Sequence, residues 1–279
     1  MRIHHLNCGS LRHVAPDEGA PVALAPARAV CHCLLLETDG GLVLVDTGLG
    51  RNDVDRPHET LGETFLGRAQ PVLTAEETAA HQIAALGHSP DDVTDIVVTH
   101  LDLDHIGGLP DFPNARVHVH AAEYRAAMAA PGAHPEDRTR YRPAQWAHRP
   151  HWVTYETRRD DSWFGFDAIE LDGLPPEILL VPLGGHTSGH SAVAVRDTDR
   201  WLLHAGDAYY HHGQLGPVDR WSITGLEALE ELTEVQRPLR QANHARLREL
   251  VARHGDEVEV FSAHDPWEFQ RYTAATTAR

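Results

Sequence analysis

Four side chains of metal-binding type lie close together between positions 100 and 105. They are His100, Asp102, Asp104 and His105. In an extended stretch alternate residues point the same way, so the first three should converge while Leu101 and Leu103 turn into the core. Carboxylates and imidazoles packed this closely are costly unless a cation offsets their repulsion and desolvation. The spacing therefore predicts a metal site.

Three later segments each add one candidate ligand where a predicted strand ends. His186 lies in a glycine-flanked loop, Asp207 follows a buried strand, and His264 follows another. Open α/β sheets gather their sites at the ends of strands, so these residues are expected to join the cluster at positions 100–105. Asp46, in the turn Asp46-Thr47-Gly48, also follows a strand.

The elements that must position these residues alternate along the chain. Residues 30–37 and 42–45 are predicted to form a β-hairpin, and 74–86 a helix that begins at Thr74 and stops at Gly87. Residues 131–166 show no clear period and are interpreted as an irregular excursion that covers a site. The other predicted strands are 95–99, 116–120, 166–171, 178–181, 191–195, 201–204 and 258–261, and the other predicted helices are 121–130 and 239–254.

Composition limits the partners. The chain has 279 residues and a formal charge of −17, which disfavours nucleic acid and anionic membrane surfaces. Its three cysteines do not form a disulfide framework, and Cys31-His32-Cys33 is better explained as buried small residues of a strand than as a zinc site. Residues 1–10 contain no apolar run of signal-peptide length, so the expected location is cytoplasmic.

The series Asp46-Thr47-Gly48, the cluster at 100–105, His186, Asp207 and His264 resembles the motif set of the metallo-β-lactamase superfamily, over nearly the whole chain. The resemblance implies an α/β fold, an αββα four-layer sandwich with metals at one edge of the two sheets. It further implies one domain over residues 1–279, to which we add a lid or flap insertion over 131–165.

The same resemblance assigns the ligands of two divalent metal ions. His100, Asp102 and His186 would hold one ion, and Asp104, His105 and His264 the other. Asp207 would bridge the two ions. Asp46 would orient a ligand histidine rather than bind metal.

One ligand departs from the family pattern, because Asp102 stands where the usual motif has histidine. A carboxylate is itself a competent ligand, so we expect two metals, with Zn the first choice and Mn or Fe as alternatives. Counting charges on the ligands alone, the aspartate brings the cluster near neutrality. That count predicts a less acidic bridging water than a histidine would give.

The expected chemistry is hydrolysis by a hydroxide that bridges the two metals. Asp104 is a candidate to accept and pass on the proton of that water. Tyr210, three residues after Asp207, matches a tyrosine that hydrogen-bonds the substrate carbonyl in the N-acyl homoserine lactone lactonases of the superfamily. It is equally consistent with an amphipathic tyrosine at the edge of the core.

The leading functional hypothesis is opening of a lactone or another carboxylic ester, in an uncharged small molecule with an apolar part. A phosphoester or phosphotriester hydrolase would instead need cations near the site, and Arg138, Arg140, Arg142 and Arg149 are available. Further alternatives are an oxidoreductase, either a mononuclear iron persulfide dioxygenase or a di-iron flavoprotein partner, and a metal-binding module that has lost its chemistry. The oligomeric state is not predicted.

Overall fold

The computed structural model describes residues 1–16, 24–129, 137–157, 162–216, 223 and 225–277. The chain divides into two compact units. The first unit comprises Met1–Arg12 and Val30–Tyr155, and the second comprises His13–Ala29 and Glu156–Arg279. Each unit is built around one β-sheet, and the prediction of one domain over 1–279 stays a prediction.

The first sheet has six strands in the order β1-β2-β3-β4-β5-β6. They are β1 (Arg2–Val14), β2 (Ala27–Thr38), β3 (Gly41–Val45), β4 (Val93–Val97), β5 (Arg116–His120) and β6 (His151–Tyr155). Strands β3 to β6 run parallel to one another, so their carboxyl ends share one edge of the sheet. Asp46 and the segment that follows β4 therefore leave the sheet at the same edge.

The predicted hairpin is confirmed. Strands β2 and β3 pair in antiparallel register, with Leu36 opposite Val43. The turn closes at Gly41, whose φ of +132° suits glycine. A side chain there would also meet Thr94, since an added Cβ would lie 2.7 Å from its Cγ2 atom.

The second sheet has five strands in the order β11-β10-β9-β8-β7. They are β7 (Ile169–Glu170), β8 (Ile178–Pro182), β9 (Ser191–Asp197), β10 (Arg200–His204) and β11 (Val258–Phe261). Strands β10 and β11 are parallel, whereas the other neighbours are antiparallel. Asp207 and His264 follow these two parallel strands, which places both residues at one edge of this sheet.

Helices cover or connect the strands. The α-helices are Arg51–Asp55, Pro57–Thr60, Gly62–Ala69, Ala79–Ala85, Leu103–Ile106, Ala121–Met128, Asp137–Arg140, Leu226–Thr233, Arg237–His254 and Pro266–Thr277, and the 3-10 helices are Ala75–Glu77, Pro90–Asp92, Leu109–Asp111, Pro143–Trp146 and His212–Gln214. Within the described part of the chain, every helix is too short or too polar to traverse a bilayer.

Two local predictions were wrong in detail. The helix expected over 74–86 is broken, because the Thr78 hydroxyl accepts a hydrogen bond from the backbone N–H of His81 and starts a second helix. The excursion at 131–166 contains strand β6, whose parallel pairing with β5 its sequence did not reveal. Residues 130–136 and 158–161 of that excursion lie outside the described residues, and its role as a lid stays a prediction.

Aromatic residues of the excursion pack into the two cores. Trp146 and Trp152 lie against the core of the first unit. Trp163 is buried in the core of the second unit, where its ring meets Phe164 and Trp201 edge-on. The three tryptophans therefore contribute to the packing of the two cores.

Candidate metal centre

The predicted ligand cluster lies in the segment that follows β4. The strand ends at Val97, the chain bends at Thr99, and Asp102, with an extended backbone, precedes a helical turn over Leu103–Ile106. Leu101 and Leu103 are buried, as predicted. Asp104 lies in the helical turn and not in the extended stretch, so the expectation that it follows the same alternation as the residues at 100 and 102 was wrong.

The carboxylate of Asp46 holds the start of this segment. Its Oδ1 accepts a hydrogen bond from the backbone N–H of Thr99 (2.7 Å), and its Oδ2 accepts one from the Thr99 hydroxyl (2.8 Å). Oδ2 also lies 2.8 Å from Nδ1 of His105, in a buried pair. Because Nδ1 of His105 donates to Asp46, a metal would be bound through Nε2.

His100 and Asp102 approach each other directly. Nε2 of His100 lies 3.4 Å from Oδ2 of Asp102, and the His100 side chain is fully buried. Nδ1 of His100 lies 3.0 Å from the Thr99 hydroxyl. Thr99 thus contacts both Asp46 and His100, and connects the Asp46–His105 pair to His100.

Arg140 forms an ion pair with Asp102 that the sequence did not reveal. Its Nε lies 2.8 Å from Oδ1 of Asp102, and both side chains are largely buried. The charge count made on the ligands alone is therefore incomplete, because it left out a guanidinium beside the aspartate. Arg140 had been considered only as a cation for a phosphoester substrate.

In the second unit, Asp207 lies between two histidines. Its Oδ2 lies 3.4 Å from Nε2 of His186, and its Oδ1 lies 3.1 Å from Nε2 of His264. The two oxygens of one carboxylate thus face two different imidazoles. A carboxylate that bridges two metal ions needs this arrangement.

The loop that carries His186 is shaped by Gly185. Its φ is +135°, and an added Cβ would lie 2.4 Å from the backbone nitrogen of Arg240, so only glycine fits. The Gly185 carbonyl accepts hydrogen bonds from the backbone N–H groups of Val235 (3.0 Å) and Gln236 (2.9 Å). Backbone contacts therefore fix the loop before any ligand binds.

His190 positions Asp207, a role that the sequence analysis did not assign. Its Nδ1 donates to the carbonyl of Leu183 (3.1 Å), so its Nε2 accepts the backbone N–H of Asp207 (2.9 Å). The residue is fully buried. The only signal in the sequence was its spacing, four residues after His186.

Tyr210 packs beside the histidines of the second unit. Its ring stacks on that of His264 at a centroid distance of 5.9 Å and meets the ring of His186 edge-on at 6.3 Å. Its hydroxyl lies 3.3 Å from the Thr233 hydroxyl. These contacts place the side chain next to two predicted ligands.

A second group of potential ligands, formed by His212, Asp265 and Glu268, is engaged in supporting the loop of His264. Burial raises the pKa of Asp265, but hydrogen bonds from His212 and from backbone amides outweigh it and hold that pKa below its usual value. Glu268 accepts from the Ser262 N–H and the Tyr209 hydroxyl, while burial holds its pKa well above the usual range. We interpret this group as structural.

Cys31 also lies near a predicted ligand. Its thiol is buried, and its Sγ is within 4.8 Å of a carboxylate oxygen of Asp104. Cys31, His32 and Cys33 are all buried in β2, and the cysteines are free thiols, as their interpretation as strand residues predicted.

Comparison with known proteins identifies the family. The sequence model of the metallo-beta-lactamase superfamily matches residues 27–256. The chain belongs to this superfamily. It is 44% identical over 269 residues to a probable metallo-hydrolase of Mycobacterium tuberculosis, in a match that covers 95% of this chain and 81% of that protein.

Lactonases of the superfamily are also similar. The chain is 37% identical over 164 residues to an N-acyl homoserine lactonase of a Bacillus species, covering 58% of this chain and 57% of that protein. A solved N-acyl homoserine lactone hydrolase, with the product N-hexanoyl-L-homoserine at its catalytic metal centre, superimposes with a TM-score of 0.67 at 22% identity. The match covers 96% of this chain and 95% of that chain. The predicted α/β metallo-β-lactamase fold is confirmed, and the protein is a metal-dependent hydrolase of that superfamily.

The donor atoms fit the divalent ions that this superfamily fold implies. Two ligands on one tetrahedral zinc lie about 3.4 Å apart when each bond is about 2.1 Å long. The pair His100–Asp102 and the two pairs that Asp207 makes, with His186 and His264, have separations of 3.4, 3.4 and 3.1 Å. Imidazole nitrogens and carboxylate oxygens are also the ligands that catalytic zinc sites use.

Proposed function

We propose that the protein is a dinuclear metal-dependent hydrolase that opens a lactone or cleaves another carboxylic ester. The observation that carries the proposal is the position of Asp207, whose two carboxylate oxygens face two different imidazoles. A single-metal site would need only one of these contacts. The proposed ligands are His100, Asp102, Asp104, His105, His186, Asp207 and His264.

The ligands divide as the superfamily motif implies. In this proposal His100, Asp102 and His186 would hold one ion, Asp104, His105 and His264 would hold the other, and Asp207 would contribute to both. Asp46 orients His105 through its Nδ1. We propose zinc as the metal because four of the seven ligands are imidazoles, and Mn or Fe as alternatives because Asp102 adds a hard oxygen.

When bound, the two ions supply a nucleophilic water at neutral pH and polarise the carbonyl under attack. Asp104 would serve as the group that accepts a proton during attack and passes it to the leaving oxygen. The Tyr210 hydroxyl donates to the carbonyl oxygen as negative charge develops on it. Stacking on His264 fixes the ring that carries this hydroxyl.

The substrate we propose is a small, uncharged molecule with an apolar part. The similarity to N-acyl homoserine lactonases supports this class. The net charge of −17 disfavours nucleic acids and other polyanions. The cytoplasmic location stays a prediction.

Two of the arginines that a phosphoester substrate would need already contact other groups of the protein. Arg140 is paired with Asp102, and Arg142 donates to the backbone carbonyl of Glu59 (2.8 Å). Arg149 is exposed, and the side chain of Arg138 lies outside the described residues. This distribution favours the carboxylic ester over the phosphoester.

Metal analysis tests the proposal first. The protein is purified without added metal, and its metal content is measured by elemental mass spectrometry for the natural chain, for Asp207→Asn and for the control Asp199→Asn, an exposed aspartate. We expect about two metals per chain in the natural protein and the control, and less than one in Asp207→Asn. N-acyl homoserine lactones, aryl esters and phosphotriesters are then assayed with and without a chelator.

The outcomes separate the hypotheses. Chelator-sensitive hydrolysis of lactones or aryl esters with two metals supports the proposal. A single iron together with oxygen uptake would favour the dioxygenase. Failure to retain metal after reconstitution, with no turnover of any activated ester, would leave only the metal-binding module without chemistry.

A further inference from the structure

The buried position of Arg140 requires a partner. An arginine side chain is rarely buried unless it is paired, because removing its charge from water is costly. The side chain of Arg140 is only 5% exposed, and its Nε lies 2.8 Å from Oδ1 of Asp102. This oxygen is not the one that faces His100, since Oδ2 lies 3.4 Å from Nε2 of that histidine. The two oxygens of Asp102 therefore have different neighbours.

Glu123 also connects the segment that carries Asp102 to the segment that carries Arg140. Glu123 is fully buried, and its Oε1 accepts hydrogen bonds from the backbone N–H of Leu101 (3.0 Å) and from the Tyr141 hydroxyl (2.9 Å). Asp102 thus contacts Arg140 directly, and the neighbouring Leu101 is connected to Tyr141 through Glu123. This double connection sets the position of the guanidinium relative to Asp102.

We propose that Arg140 is a positioning residue for Asp102, and that the two form a unit that replaces the histidine of the usual superfamily motif. By binding Oδ1, Arg140 leaves Oδ2 as the oxygen that binds metal. By its charge, it makes the pair neutral overall, as a neutral imidazole is. The inference rests on the proposed function, because it takes Asp102 to be a metal ligand.

The ion pair with Arg140 changes the effect of having aspartate instead of the usual histidine at position 102. An aspartate alone would add a negative charge to the ligand set, whereas an aspartate paired with a buried arginine adds none. Restoring histidine at position 102 would leave the guanidinium buried without its carboxylate, next to the metals. We therefore expect Asp102→His to impair the site as long as Arg140 is present.

A double-mutant cycle tests this dependence. The proteins are the natural chain, Arg140→Gln, Asp102→His and the double variant, together with Arg140→Lys and the control Arg142→Gln. Arg142 lies in the same segment but donates to the Glu59 carbonyl. Each protein is stripped of metal and titrated with Zn²⁺ against a chromophoric chelator at one fixed pH. Thermal unfolding of the metal-loaded proteins is measured in parallel.

We expect the effect of Arg140→Gln on zinc affinity to have opposite signs in the two backgrounds. Arg140→Gln lowers zinc affinity about tenfold or more in the natural background, because the carboxylate loses the positive charge that lies beside its Oδ1. In the Asp102→His background the same substitution raises zinc affinity about tenfold, since it removes the unpaired charge. Because Arg140→Lys keeps the positive charge, we expect its zinc affinity to stay within about threefold of the natural chain, and Arg142→Gln to leave affinity unchanged.

Two results would overturn the inference. If Arg140→Gln has the same effect in both backgrounds, or alters only thermal unfolding, Arg140 is structural. If Arg140→Lys loses as much affinity as Arg140→Gln, the charge is not what matters. Failure of the proposed function is recognised separately by Asp102→Ala, because a variant that still binds two zinc ions with natural affinity would show that position 102 is not a ligand.

Discussion

Oδ2 of Asp46 lies 2.8 Å from Nδ1 of His105, although the two residues are 59 positions apart in the sequence. Asp46 adopts a positive φ of 55°, which is uncommon for residues other than glycine and directs its carboxylate toward the segment after β4. The same carboxylate accepts two hydrogen bonds from Thr99. One buried side chain therefore holds a proposed ligand and the start of the segment that carries it.

The first prediction concerns this contact. We expect Asp46→Asn to lower metal affinity about 10–100-fold, because the amide no longer stabilises the Nδ1–H form of His105 that presents Nε2 to a metal. The measurement is zinc competition with a chelator. Asp39→Asn, at an exposed turn between β2 and β3, is the control. Equal zinc affinities for Asp46→Asn and the natural protein would contradict the orienting role.

The second prediction concerns His190. Leucine at this position cannot accept the backbone N–H of Asp207, and leaving that buried donor unsatisfied costs about 1–3 kcal/mol. We expect His190→Leu to unfold at lower urea concentration and to bind less metal, because Asp207 is no longer held in place. The exposed His81→Leu serves as the control. Retention of full metal content would show that Asp207 is positioned by other contacts.

The third prediction concerns the pH dependence of stability. Burial raises the pKa of Asp53 to about 6, although hydrogen bonds from Gly50, Thr60 and Gln145 act to lower it. Because the folded chain holds this proton more tightly than the unfolded chain, the contribution is fully present below about pH 4. It is lost as the pH rises through about 6. The full loss, from pH well below 4 to pH well above 6, amounts to about 3 kcal/mol.

Asp53→Asn should remove this loss. We expect the free energy of unfolding of the variant, relative to the natural protein, to increase by about 2 kcal/mol from pH 4 to pH 7. Urea unfolding across this range measures it, and the comparison at each pH cancels the effect of metal release, which acts on both proteins. Asp55→Asn, exposed in the same helix, should show no such trend. A difference that stays constant with pH would refute the raised pKa.

The fourth prediction distinguishes the two interpretations of Tyr210. Phenylalanine keeps the ring that stacks on His264 and removes only the hydroxyl. If the hydroxyl stabilises the developing oxyanion, Tyr210→Phe should lower kcat on a lactone about 100-fold or more while metal content stays the same. Steady-state kinetics with parallel metal analysis gives both quantities. An unchanged kcat would leave Tyr210 as a packing residue.

Local patterns were sufficient for most of the fold. The turn residues from Thr38 to Gly41 predicted the hairpin, and the apolar runs predicted most of the buried strands. These features depend on neighbours in the sequence, which is why they can be predicted from it. The candidate ligands were also predicted from residue type and spacing, because few other sequences place so many imidazoles and carboxylates at strand ends.

Contacts between distant segments were decided only by the tertiary structure. Arg140 was one of several arginines in a segment without a clear period, and its pairing with Asp102 depends on where Glu123 and Tyr141 anchor that segment. The role of His190 likewise follows from a hydrogen bond to Asp207 across a loop. The sequence specified which groups are available to bind metal. The packing of the strands and loops determined which oxygen or nitrogen of each group points where, because side-chain direction depends on backbone geometry and on contacts that no local pattern records.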